Sequence, residues 1–105
     1  MNTYIRKDYR GNWRAETRID IEDNRVVTVS TYKISNGSLC TNVSVGTLND
    51  GFISHRVFAD YNKFVKQEWP KRVTEKVVSS QHDSVLSDID SILSSITEFY
   101  SLETA

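Results

Sequence analysis

The side chains with the widest chemical range in this chain are Cys40, His55 and His82. A thiol beside an imidazole is the arrangement of a nucleophile and its base. The strand reading below puts Cys40 and His55 on one face but several residues out of register, so the two do not meet. His82 interrupts a helical apolar stripe between Val78 and Val85. A metal or catalytic centre there needs convergent partners. Asp83, the adjacent carboxylate, points about 100° away around a helix. His82 therefore reads as a partly buried structural histidine. A single cysteine excludes an intrachain disulfide and any multi-cysteine metal site. No HExxH, GxSxG, P-loop or glycine-rich phosphate loop occurs. The expectation is a protein with no catalytic residues, no metal and no cofactor.

Binding chemistry is better represented. Tyr4, Arg6, Lys7, Tyr9, Arg10, Trp13, Arg14 and Arg18 interleave rings and cations at the N-terminus. That mixture suits phosphate neutralisation and base stacking. A nucleic-acid surface would use Arg6, Lys7, Tyr9, Arg10 and Arg14. Against it, Asp8 and Glu16 dilute the patch, Trp13 is claimed by the core, and the whole chain carries −1. The primary expectation is protein–protein contact through the exposed sheet face, using Arg14, Arg18, Val27, Val29, Lys33, Ile53, His55 and Val57, or through the serine and acidic face of the helix. Two exposed valines on such a sheet face also argue for a homodimer, because monomers rarely leave a contiguous apolar patch uncovered. Small non-catalytic domains of this build often act as regulators or inhibitors, including products of phages and mobile elements.

The elements that position these residues follow from periodicity. From Thr74 to Leu102, the residues Val77, Val78, Val85, Leu86, Ile89, Ile92, Leu93, Ile96, Phe99 and Tyr100 recur at helical spacing. This predicts one long C-terminal helix, capped by Thr74 and with Glu75 at its positive end. Its outer positions are mostly serine and aspartate, poor helix formers, so burial of the stripe must hold it.

Upstream, Trp13 to Ile21 alternates apolar and polar residues with the period of a half-buried strand. Val26 to Ile34 is rich in β-branched residues, Leu39 to Leu48 alternates again, and Phe52 to Ala59 follows Asn49-Asp50-Gly51. Tyr4 to Tyr9 is a candidate short strand. Asp60 to Trp69 reads as either a short helix or a fifth strand, and Pro70 ends it.

The fold expected is α+β, a four-stranded antiparallel meander over about 13–59, a crossover over 60–73 and a helix over about 74–102. All of this is expected within one domain, 1–105. Two-residue turns at Asp23-Asn24 and Asn36-Gly37 would set Ile21 opposite Val26 and Ile34 opposite Leu39. The bed for the helix would then be Trp13, Ala15, Ile19, Ile21, Val26, Tyr32, Ile34, Leu39, Val43 and Val45. Val27 and Val29 would face away from it.

Charge is polarised along the chain. Residues 1–18 hold five cations and two carboxylates; residues 75–105 hold one cation and six carboxylates. Mutual attraction within the fold is the plainest expectation for such a pair. The N-terminus has no apolar leader and no run approaches the length of a membrane span, so a cytoplasmic protein is expected.

Overall fold

The computed structural model describes residues 2–21, 24–34, 38–65 and 73–94, with residues 54–65 described as backbone alone. Five strands and a helix follow in order: β1 (Asn2–Lys7), β2 (Trp13–Ile21), β3 (Arg25–Lys33), β4 (Leu39–Asn49), β5 (Phe52–Val65) and α1 (Glu75–Leu86). The fold is α+β, with every strand antiparallel to its sequence neighbour in one sheet ordered β1-β2-β3-β4-β5. Two expectations change. The sheet has five strands because Asn2–Lys7 pairs with β2 as an edge strand. Residues 60–65 neither form a helix nor start a new strand; they continue β5. Trp69, Pro70 and residues 95–102 lie outside the described residues.

The loops decide which face each strand presents. Asp50 and Gly51 both take positive φ, 49° and 84°, and join Asn49 to Phe52 in a two-residue turn of the kind hairpin twist favours. The other two hairpin connections are one residue longer than a two-residue turn. Residues 22–24 separate Ile21 from its partner Arg25, with Asn24 at φ 58°. Residues 35–37, which hold Asn36-Gly37 and lie outside the described residues, separate Ile34 from Ser38, whose carbonyl accepts the Ile34 N–H at 2.9 Å. Each extra residue slips the register by one, and a one-residue slip exchanges the two faces of a strand. The first slip inverts β3 relative to β2 and the second restores β4. The face beneath α1 therefore carries Ala15, Thr17 and Ile19, then Val27, Val29 and Thr31, then Leu39, Thr41, Val43 and Val45.

Val27 and Val29 are thus core, each 0% exposed and packed with Val43, Val45, Val85 and Ile92. This corrects their expected place on an open face. Val26 and Tyr32 lie on the opposite side, opposite Asp20 and Cys40 respectively. A second apolar cluster joins Ala15, Leu39, Val73 and Val78, flanked by Trp13 and Val77.

α1 starts as expected: the Thr74 hydroxyl accepts from Val77 N at 3.4 Å. It does not run on to Leu102 unbroken. Residues 87–88 form a turn, and a second helical segment, α2, covers 89–94 among the described residues. The break falls where serine and aspartate meet. The Ser87 hydroxyl donates to the Ser84 carbonyl at 2.6 Å, the local competition that makes serine a weak helix former. Val85 before the turn and Ile92 after it pack into the same apolar cluster.

Candidate functional site

The β1–β2 hairpin is built around Asp8. Its carboxylate accepts from Arg10 N at 2.9 Å and Asn12 N at 3.0 Å, and its carbonyl accepts from Gly11 N at 3.1 Å. Gly11 takes φ 83°, open to glycine at little cost. The base of the hairpin is tied to the lead-in of α1. Val73 N donates to Asn12 Oδ1 at 3.1 Å, and Trp13 N donates to the Val73 carbonyl at 3.2 Å. A fixed tip results, with Tyr9 at 90% exposure.

The register sorts the rest. Arg6 lies directly opposite Arg14, and Tyr4 opposite Glu16, on the side away from α1; Lys7 opposes Trp13 on the helix side. Three cations sit over rings: Lys7 over Trp13 at 5.4 Å, Arg10 over Tyr9 at 5.4 Å, and Arg14 over Tyr32 at 5.3 Å. Tyr32 is held in turn by Asn42, whose amide donates to its hydroxyl oxygen at 2.7 Å. Glu16 is occupied by Arg18 at 3.1 Å. Asp8 is occupied by backbone N–H groups. Among the described residues, no carboxylate lies within ion-pair distance of Arg6, Lys7, Arg10 or Arg14. The acidic groups of the helices do not reach the hairpin: Glu75, Asp83, Asp88 and Asp90 are all exposed and none pairs with it.

The five residues expected for nucleic acid, Arg6, Lys7, Tyr9, Arg10 and Arg14, are thus gathered on one hairpin, on its two faces and its tip. The protein-contact set is dispersed. Arg14 and Arg18 share the side of β2 away from α1. Val27 and Val29 are buried under the helix, so the homodimer expected through them loses its surface. Lys33 is half-buried opposite Leu39, and Ile53 is half-buried opposite Leu48 near the far turn. The side chains of His55 and Val57 lie outside the described residues; by register, Val57 pairs with Val45. Tyr32 is the hairpin's missed member, because the expected β3 register turned it toward the core.

The buried polar chemistry lies elsewhere. His82 is 1% exposed, with Nε2 at 2.7 Å from the Thr17 hydroxyl and Nδ1 at 2.7 Å from the Thr31 hydroxyl. Thr17 continues to Thr3 at 2.8 Å, and Thr31 to Thr41 at 2.8 Å. Gln81 Nε2 closes the chain on Thr41 Oγ1 at 3.0 Å and the Leu39 carbonyl at 3.3 Å. A neutral imidazole satisfies this chain. With the proton on Nε2, donors run from Gln81 through Thr41 and Thr31 to Nδ1, and from Nε2 through Thr17 to Thr3. Burial lowers the His82 pKa below its usual 6.5, and the Asp83 carboxylate works weakly the other way. These polar groups form a belt between the two apolar clusters.

Cys40 is buried on the other face, opposite Phe64, and burial pushes its thiol pKa up. His55 sits in the strand register near Thr47, about 20 Å along from Cys40 at the usual rise of a strand. Among the described residues no group of three or more His, Cys, Asp or Glu is placed to hold a metal ion, and no helix is long and apolar enough to cross a membrane. No protein-family model, curated protein or solved structure matches this chain.

Proposed function

We propose that this chain is a non-catalytic binding protein that presents the β1–β2 hairpin to an anionic partner. The observation that carries the reading is the set of four hairpin cations with no carboxylate within ion-pair distance among the described residues. Surface cations are ordinarily paired with carboxylates; Lys7, Arg10 and Arg14 are instead backed by rings, which do not neutralise them. A regulator or inhibitor that works by occupying its partner fits this arrangement, and the cytoplasm is the compartment we assign to it. His82 and Cys40 take no part, since both are spent inside the fold.

Retention on immobilised heparin, a generic polyanion, tests this. Arg6→Glu combined with Arg14→Glu should abolish retention. Lys76→Glu, on the exposed side of α1, should leave it nearly unchanged, as should His82→Gln and Cys40→Ser in whatever fraction remains folded. A wild-type protein that passes heparin unretained at low salt would refute the reading.

A further inference from the structure

The hairpin carries more than charge, and the extra feature discriminates among anions. We infer that its partner is single-stranded nucleic acid, with a phosphate held between Arg6 and Arg14 and bases stacked on Tyr4 and Tyr9. The inference rests on the reading of the hairpin as the binding surface and names what it binds.

The clamp comes first. Arg6 and Arg14 are cross-strand partners on the side away from α1. Directly opposed Cα atoms in an antiparallel pair are about 4.5–5.5 Å apart, so one phosphate comes within reach of both side chains once the Arg14 guanidinium swings from its place over Tyr32, on the other side of β2 from Arg6. Like charges so placed repel each other, and an anion between them relieves that repulsion. A phosphodiester offers two acceptor oxygens to two planar donors.

The rings come second. Tyr4 is 56% exposed on the same side as Arg6, and Tyr9 is 90% exposed at the tip. β1 runs about 10 Å from Tyr4 to Lys7 before the turn that carries Tyr9, so the two rings lie to either side of the Arg6 position along the hairpin, an arrangement that takes a short single strand. An open ring face has no use for a duplex, whose bases are already stacked, but takes a free base directly. An acidic protein partner fits less well. The centre of a protein interface is apolar and depleted of charge. Here Ile5, at 39% exposure, is the one aliphatic side chain on β1, and it lies on the α1 side opposite Ala15, away from Arg6 and Arg14.

Fluorescence anisotropy with labelled oligo-dT, oligo-U, a duplex of equal length and poly-glutamate tests the inference. Salt is varied over about 50 to 200 mM, where phosphate contacts show their dependence. The expected order is single strands first, with duplex and poly-glutamate weaker. Arg6→Gln with Arg14→Gln should reduce the slope of log affinity against log salt by about 0.7, the one single-strand phosphate they share. Tyr4→Ala and Tyr9→Ala should each weaken binding about tenfold without altering that slope. All four positions lie on the exposed hairpin, and circular dichroism verifies that each variant is folded. The wild-type ranking of the four probes stands independently of any variant. Equal binding of poly-glutamate and oligonucleotides, or tyrosine variants that bind as wild type, overturns the single-strand inference and leaves the anion-binding surface standing. No binding to any of the four overturns both.

Discussion

At the scale of single residues, His82 carries the sharpest consequence. Its ring is buried, neutral and bonded at both nitrogens, so the folded state resists taking up a second ring proton. Its pKa in the fold lies below the unfolded value of about 6.5. Below that value the unfolded chain binds a proton that the native chain does not, so stability falls as pH falls. The contribution is complete above about pH 7 and is lost on the way down to the folded pKa, with a slope of at most about 1.4 kcal/mol per pH unit. His82→Leu should remove that pH dependence and cost about 2 kcal/mol at neutral pH, since Thr17 and Thr31 each lose one partner. Urea melts at pH 7.5 and pH 5.5 on both proteins check it; a wild-type midpoint that does not move between them would sink the idea. Thr28 gives the opposite sign. Its hydroxyl is buried at 1% exposure with no hydrogen-bond partner. Thr28→Val keeps the shape, discards an unsatisfied group, and should raise stability by up to about 1 kcal/mol in the same melts.

At the scale of elements, the strands of the meander, the N-cap at Thr74 and the apolar stripe of α1 were all legible, because each is written in a local period or a local side chain. The faces of β2 and β4 were legible too. The face of β3 was not. It depends on whether two residues or three close each of its loops, and Asn24 fits either count, since it tolerates the left-handed region that both need. The helix break was visible only as poor composition; at Ser87 the side chain bonds the Ser84 carbonyl, the local competition that poor composition implies. The threonine belt escaped notice for the same reason as β3. Thr17, Thr31 and Thr41 meet His82 only once the register is known. These placements make a prediction with no middle ground. Val27→Lys with Val29→Lys puts two charges into the centre of the core and should abolish the folded state in circular dichroism. A folded double variant would restore the open valine face that the register removes. Ile92→Ala should cost about 2–5 kcal/mol, and Ile89→Ala less, because Ile92 is 7% exposed while Ile89 is half-buried.

At the scale of the whole molecule, the basic start and acidic end do not neutralise each other among the described residues. The hairpin cations gather around β1 and β2, and the described helix carboxylates face solvent from α1 and α2. Local repulsion then persists in the free protein, most directly between Arg6 and Arg14. This separates a binding role for the pair from a structural one. If the arginines served the fold, replacing one would weaken it. Arg6→Glu instead converts an opposed like-charge pair into an opposite-charge pair, a change that cross-strand energetics put at about 0.5 kcal/mol in favour of folding. Arg6 is exposed and no described side chain bonds to it, so nothing offsets that gain. The same substitution places a carboxylate where a phosphate would sit. Arg6→Glu should therefore unfold at slightly higher urea than wild type while losing retention on heparin. The stability gain should shrink as salt rises, because both the repulsion removed and the attraction gained are screened over about 10 Å at 0.1 M ionic strength. A variant that is less stable than wild type at low salt would assign the arginine pair to the fold and take the hairpin's charge out of the argument for binding.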